Sequence, residues 1–400
     1  MMGKPKIRFK GYNEDWEQRK LNEIADRVSE KNKNNEFSEP FTNSAEQGII
    51  SQRDYFDREI VNNENLNGYY IVRNDDFIYN PRISVTAPVG PINRNRLGRN
   101  GVMSPLYTVF RTHDINNLYL EFYFKTTKWH RFMKLNGDSG ARFDRFTISS
   151  TQFMEMPIPY PMLDEQIKIG EYFDTLDHLI TLHQHKCDEM KKMKKCMLQK
   201  MFPQNGKKVP EIRFEGFTND WEQRKLNEVA EFNPKSDLPE SFEYVDLESV
   251  VGTEMVSHRT ETKETAPSRA QRLAQTGDVF FQTVRPYQRN NYLFTKPDNN
   301  YVFSTGYAHM RPKIDAEFLM CFLQTDSFVK VVLDNCTGTS YPAINSNDLS
   351  NLEIYLPTSE DEQRRIGCFI TNLDYLITLH QHKCDELQNL KKYMLQNMFV

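Results

Sequence analysis

Five arginines stand without a single carboxylate among them between residues 81 and 113 of this 400-residue chain: Arg82, Arg94, Arg96, Arg99 and Arg111. A guanidinium presents its N–H donors in a fixed fork that fits a guanine edge or a phosphate, so the chemistry suggested here is recognition, not bond breaking. A second basic stretch, residues 259–313, holds nine Lys or Arg against four Asp or Glu and contains Arg285, Tyr287, Arg289 and Asn290. Two Gly/Ser loops occupy matching places, Gly137-Asp138-Ser139-Gly140-Ala141-Arg142-Phe143, followed by Arg145, and Thr337-Gly338-Thr339-Ser340-Tyr341-Pro342. Their side chains are of the kinds that bond base edges and phosphates. The candidate nucleic-acid contacts are therefore Arg82, Arg94, Arg96, Arg99, Arg142, Arg145, Arg285, Tyr287, Arg289, Asn290, Ser340 and Tyr341. Either basic stretch alone could be a solvated loop, and the glycines could serve tight turns. Two such stretches at corresponding places in two halves of the chain favour recognition.

The elements that must position these residues are themselves repeated. Asp164-Glu165-Gln166 returns as Asp361-Glu362-Gln363, Leu179 through Glu189 returns unchanged as Leu376 through Glu386, and Met201-Phe202 returns as Met398-Phe399, all at an offset of 361 − 164 = 197. Upstream, Ile7-Arg8-Phe9 and Trp16-Glu17-Gln18-Arg19-Lys20-Leu21-Asn22-Glu23 return as Ile212-Arg213-Phe214 and Trp221 through Glu228, offset 221 − 16 = 205. The chain reads as frame, variable domain, helix, and then the same again, which suggests two different things read by one device. Inside the variable parts, 71–110 and 273–312 read as counterpart β-rich stretches, with Asp76-Phe77-Ile78-Tyr79…Arg82 aligned to Asp278-Val279-Phe280-Phe281…Arg285.

From Phe173, the positions Leu176, Ile180, His183, Cys187, Met190, Lys194, Met197 and Met201 advance by three and four alternately, a coiled-coil period. The second copy gives Ile370, Leu373, Ile377, His380, Cys384, Leu387, Lys391, Met394 and Met398. Ser359-x-x-Glu362 is a capping box for the second helix, and Pro203 with Gly206 stops the first. About 38 residues at roughly 1.5 Å each make rods near 55 Å long. Each rod follows an equivalent domain, so antiparallel pairing buries both seams most simply, with His183 level with His380. The rods then serve as a ruler for duplex segments roughly one helical turn, ~34 Å, apart. The predicted layout is 1–160 first recognition domain, 161–202 spacer helix, 203–209 linker, 210–357 second recognition domain and 358–400 second spacer helix, an α+β fold with an internal pseudo-two-fold repeat.

Composition supports this reading and excludes others. A content of 38% hydrophobic and 12% aromatic residues sustains real cores, and no apolar run reaches the ~18 residues of a membrane span. A cytoplasmic protein is expected, with Cys187, Cys196, Cys321, Cys336, Cys368 and Cys384 as reduced thiols because no C-x-x-C pair occurs. The net charge of −4 argues against an all-over cationic coat, while acids crowded into 13–76 suggest that the first variable domain has separate acidic and basic faces. His183…Cys187 and His380…Cys384 have metal-ligand spacing, but antiparallel pairing would carry the cysteines apart, so no metal is expected. Asn80-Pro81-Arg82 and Asn233-Pro234-Lys235 only approach an adenine-methyltransferase motif, and no phosphate-binding glycine motif exists, so no catalytic residue is assigned. A methyltransferase or nuclease, and a two-headed protein-binding scaffold, are the competing readings.

The ordered set resembles the specificity subunit of type I restriction-modification enzymes over essentially the whole chain. The features are the paired D-E-Q helices, the entries Trp16…Lys20-Leu21 and Trp221…Lys225-Leu226, and a Gly/Ser loop before each exit strand and Pro. Ala141-Arg142-Phe143 departs from the Tyr341-Pro342 form of that loop. The resemblance implies two target recognition domains, each reading half of a split asymmetric site on double-stranded DNA, and helices that bind two modification subunits. It further implies S-adenosylmethionine in those partners, and a translocating restriction subunit that uses ATP and Mg. No cofactor is implied for this chain.

Overall fold

In the computed structural model, residues 3–55, 63–139, 144–204, 206–338 and 340–400 are described, and they form two compact units, Met1–Leu182 with Lys383–Val400, and His183–His382. Each long helix, Leu163–Lys200 and Glu360–Asn397, therefore contributes to both units. No described helix is long and apolar enough to cross a membrane.

The first unit is built on a four-stranded antiparallel sheet in the order Ala25–Arg27, Thr108–Thr112, Phe77–Tyr79, Ile92–Arg94. The second unit repeats that order with Ala230–Phe232, Tyr307–Pro312, Val279–Gln282, Tyr292–Leu293. It adds a mixed four-stranded sheet of its own, Arg259–Thr262, Ser241–Val245, Tyr301–Ser304, Ala270–Leu273. The central strands Phe77–Tyr79 and Val279–Gln282 are buried on both faces, which explains their continuous apolar reading. The repeated E-Q-R-K entries, Glu17–Lys20 and Glu222–Lys225, pair with the exit strands Pro157–Tyr160 and Glu353–Leu356, closing each head at its root.

The D-E-Q repeat is explained by what it holds. Glu165 and Gln166 are fully buried. The Glu165 carboxylate accepts Arg8 Nε at 2.6 Å and Nη2 at 2.8 Å, and Glu362 receives Arg213 with the same two distances. Gln166 accepts the Asn116 amide and donates to the Pro161 carbonyl; Gln363 does the same with Asp315 and Pro357. Frame, head and helix are thus tied at one buried point in each unit. The Ser359 hydroxyl accepts the Glu362 amide at 3.4 Å, but the Glu362 side chain turns to Arg213 instead of back to the cap, so only half of the expected capping box forms. A buried ion pair outbids a cap at a solvated helix end.

Gly170 and Gly367 are a second matched pair. A Cβ on Gly170 would lie 2.6 Å from Leu118 Cβ, and one on Gly367 would lie 2.7 Å from the Phe318 amide nitrogen. The head helices Asn117–Phe124 and Ala316–Leu323 dock there, and any side chain would push them off.

The long helices pair antiparallel within each unit. In the second, His183 Nδ1 lies 2.9 Å from His380 Nδ1, while Lys194 reaches Asp374 at 2.5 Å, so the first helix advances as the other retreats. In the first unit, Lys391 pairs with Asp177 and the Cys384 thiol points at the Ile180 carbonyl. Leu176, Cys187, Leu373 and Cys384 are buried and Ile180, His183, Ile377 and His380 half-buried, as a seam requires. The two lysines do not merely interrupt that seam. Each finds the equivalent aspartate across it and so fixes register.

The Met-Phe repeat ends each helix in a core. Phe202 packs against Trp221, Phe318 and Phe322, and Phe399 against Tyr119, Tyr123 and Phe173.

Candidate nucleic-acid interface

The arginines of the acid-free stretch are mostly answered by carboxylates from elsewhere in the fold. Arg94 has a side chain only 10% exposed, with Nε at 2.8 Å from Glu121 and Nη1 at 2.9 Å from Asp75. Arg96 bonds Glu121 and Asp174, each at 2.8 Å, and so straps the head to the long helix. Arg99 forks onto Glu39 at 2.8 Å through both Nε and Nη2, and holds that carboxyl below its usual pKa. Arg111 forks onto buried Asp76. The expectation of separate acidic and basic faces is corrected here: the local run lacks acids, but the fold brings Glu121, Asp174 and Glu39 to it. Arg94, Arg96 and Arg99 are structural ties in this state of the molecule.

Arg82 and Arg145 behave differently. They stand opposite one another in an antiparallel bridge between the loop after Phe77–Tyr79 and the segment after the first Gly/Ser loop. Both are exposed, and neither pairs with a carboxylate among the described residues. The Arg82 amide donates to Asn80 Oδ1 at 2.9 Å, and Phe146 N donates to the Pro81 carbonyl at 2.7 Å, so the two strands are well tied beneath them. Arg142 lies outside the described residues. Beside Arg82 opens a cleft of about 660 Å³ walled by Thr42, Asn43, Ser44, Asn80, Ser84, Thr86 and Tyr107. The sequence reading missed this wall, because uncharged hydroxyls and amides carry no charge signal.

The second unit repeats the junction with other side chains. Val284 bridges Ala343, the Arg285 amide donates to the Pro342 carbonyl at 2.8 Å, and the Ile344 amide donates to Thr283. This brings Arg285 over the ring of Tyr341, 4.4 Å from its centroid, with Tyr341 64% and Tyr287 49% exposed. Arg285 and Arg289 bracket the turn Pro286–Gln288 with positive φ of 53° and 57°. That conformation costs a residue with a Cβ of order 1 kcal/mol or more, and such strain concentrates where side chains must be aimed. Ser340 is exposed on the same loop.

Two candidates have internal partners. Arg289 donates to the Gln324 carbonyl at 3.0 Å and to Asp326 at 2.5 Å, holding the Asp326 carboxyl below its usual pKa. Asn290 Oδ1 accepts the Gly252 amide at 2.8 Å.

Each platform rests on a matched buried carboxylate. Asp278 accepts Arg311 at 2.9 and 3.0 Å, as Asp76 accepts Arg111, and also takes buried His309 Nε2 at 2.7 Å. Burial alone would push the Asp278 carboxyl up; the bonds from His309 and Arg311 outweigh it and leave the group below its usual pKa. A charge so compensated anchors the turn before the central strand without being available to a ligand.

Comparison with known proteins supplies the class of ligand. A family model described as the type I restriction modification DNA specificity domain matches residues 13–192 and, again, residues 218–389. The chain is similar to the type I restriction enzyme MjaVIII specificity subunit of Methanocaldococcus jannaschii, 23% identical over 320 residues, covering 75% of this chain and 73% of that protein. Its fold is like that in the crystal structure of the type I restriction-modification system S subunit from M. genitalium, with a TM-score of 0.61 at 13% identity, covering 100% of this chain and 99% of the other. Two matched domains, each presenting an exposed cationic junction on the same scaffold, agree with that assignment: the chain belongs to the type I restriction-modification DNA specificity family, and its role is sequence-specific recognition of DNA.

Proposed function

We propose that each head reads one half of a two-part, asymmetric sequence on double-stranded DNA, and that the paired helices set the unread gap and dock two modification subunits. The observation that carries this reading is the junction repeated in both heads. The same bridge presents Arg82 with Arg145 in the first unit and holds Val284 and Ala343 in the second, where Arg285 and Tyr341 stand close beside it, so the frame is constant while the reading groups and their positions on it differ. Methyl transfer from S-adenosylmethionine belongs to the modification partners, and ATP- and Mg-dependent translocation and cleavage to restriction subunits, in the cytoplasm. This chain supplies address, not catalysis.

Arg285 is the strongest candidate base reader, because Tyr341 stacks on its guanidinium and leaves its donor edge free for a guanine O6/N7 pair. Arg285→Ala is expected to cost about 1–3 kcal/mol and to relax one position of one half-site. Methylome mapping of cells carrying the variant with its modification partner checks this. Uniform weakening at every position would instead assign Arg285 to a phosphate.

A further inference from the structure

Each unit holds a basic pocket where its head meets the long helices, and the two are built from the same helix positions. In the first unit, a cavity of about 730 Å³ gathers Lys125, Lys128, Lys391 and Lys392 around one acid, Asp177. In the second, a cavity of about 490 Å³ gathers Lys191, Lys194, Lys195 and Arg289 with Asp326 and Asp374. Lys391 and Lys392 correspond to Lys194 and Lys195 at the repeat offset of 391 − 194 = 197, as do Asp374 and Asp177.

The charges in these pockets do not cancel. Lys125 and Lys391 both lean on Asp177, with Lys125 also 3.4 Å from Glu121, whereas Lys128 and Lys392 pair with no carboxylate among the described residues. Lys194 and Arg289 are committed to Asp374 and Asp326, while Lys191 and Lys195 are likewise without a carboxylate. Burial pushes the Lys391 ammonium below its usual pKa, and neighbouring Lys125 adds to that. An arriving anion would favour the charged ammonium against both effects. The walls also offer neutral donors, Thr127, Gln388 and Gln396 in one and Gln199 in the other.

Along the chain, one head helix leads from each pocket towards a reading junction. The head helix His130–Asn136 starts just after Lys128 and runs into the loop before Arg145; Asp326–Asp334 starts in the second pocket and runs into the loop carrying Tyr341. Arg289 links pocket and reading turn directly, since it lines the one and closes the other.

We infer that these paired pockets are phosphate-backbone sites, each gripping the DNA strand a few nucleotides beyond the bases its head reads. This rests on the DNA-reading role proposed above and adds a sequence-independent contact to it. Lysine ammonium groups, compact point charges without a planar fork, suit a backbone that carries no sequence information.

The test measures binding of the full chain, with its modification partner, to a duplex carrying the mapped site and to a random duplex of equal length, across a salt series. Lys128→Gln with Lys392→Gln, and separately Lys191→Gln with Lys195→Gln, should each lower the slope of log K against log salt by about two on both duplexes. The mapped recognition sequence should stay the same, and Lys→Arg pairs should restore the slope. Lys186→Gln with Lys192→Gln removes equal charge from exposed helix positions outside the pockets and should change the slope much less. An unchanged slope in the pocket variants would overturn the inference, and so would loss of the modification partner with DNA affinity intact, which would make the pockets protein-docking sites. Failure of the DNA-reading role itself would look different: the unaltered complex would show no preference for the mapped duplex.

Discussion

Glu362→Ala is expected to destabilise the second unit, and Glu165→Ala the first, each by about 3–5 kcal/mol. The magnitude follows from what is left behind. Arg213 is 12% exposed and Arg8 13%, and each loses both bonds to its carboxylate, leaving a largely buried guanidinium without a counter-charge, although Arg8 Nη1 still donates to the Glu14 carbonyl at 2.6 Å. In the first unit Trp16 Nε1 also loses its acceptor, 3.2 Å away. Glutamine at either position keeps an acceptor and should cost less than alanine. Tryptophan fluorescence during urea unfolding separates the two cases, because Trp16 and Trp129 report on the first unit and Trp221 on the second. A variant whose midpoint matches the unaltered protein would show that these pairs are not the anchors described.

Phe202→Ala and Phe399→Ala are expected to cost about 3–5 kcal/mol, as large-to-small changes at filled sites do. Phe399 is 2% exposed among Tyr119, Tyr123 and Phe173, and Phe202 is 1% exposed among Trp221, Phe318 and Phe322. Each ring lets the end of one helix complete a core around the start of the other, so its loss should loosen head and helix together. Calorimetric melting of each variant checks this; a shift of less than a degree or two would mean the cores close without these rings. Phe→Leu, which refills part of the volume, should recover much of the loss.

What could be read from the sequence was whatever depends on order along the chain. The 197-residue offset, the three-four spacing of Leu176, Ile180, His183 and Cys187, and the level placement of His183 and His380 all follow from repetition and helical period, which are local. What could not be read was pairing between distant residues. Arg96 looked free because no acid lies near it in sequence, yet Glu121 and Asp174 stand 25 and 78 residues away and close on it in the fold. The same distance hid the partnership of Arg8 with Glu165, which turns two unexplained repeats, I-R-F and D-E-Q, into one contact. Among the reading candidates, Arg285 and Tyr341 lie in two separate loops of the second half, and nothing in the sequence pattern gave a reason for them to touch. It is the β-bridge from Val284 to Ala343 that stacks them.

Methylation mapping of a head exchange tests the central claim most directly. The segment between Ala25 and Pro161 would be replaced by the equivalent segment of another family member, leaving both long helices and the second head untouched, and the methylated sequence read in cells that also supply the modification partner. Two heads reading independently on a constant frame predict a new sequence in one half of the site, with the other half and the unread gap unchanged. A change in both halves would contradict the account.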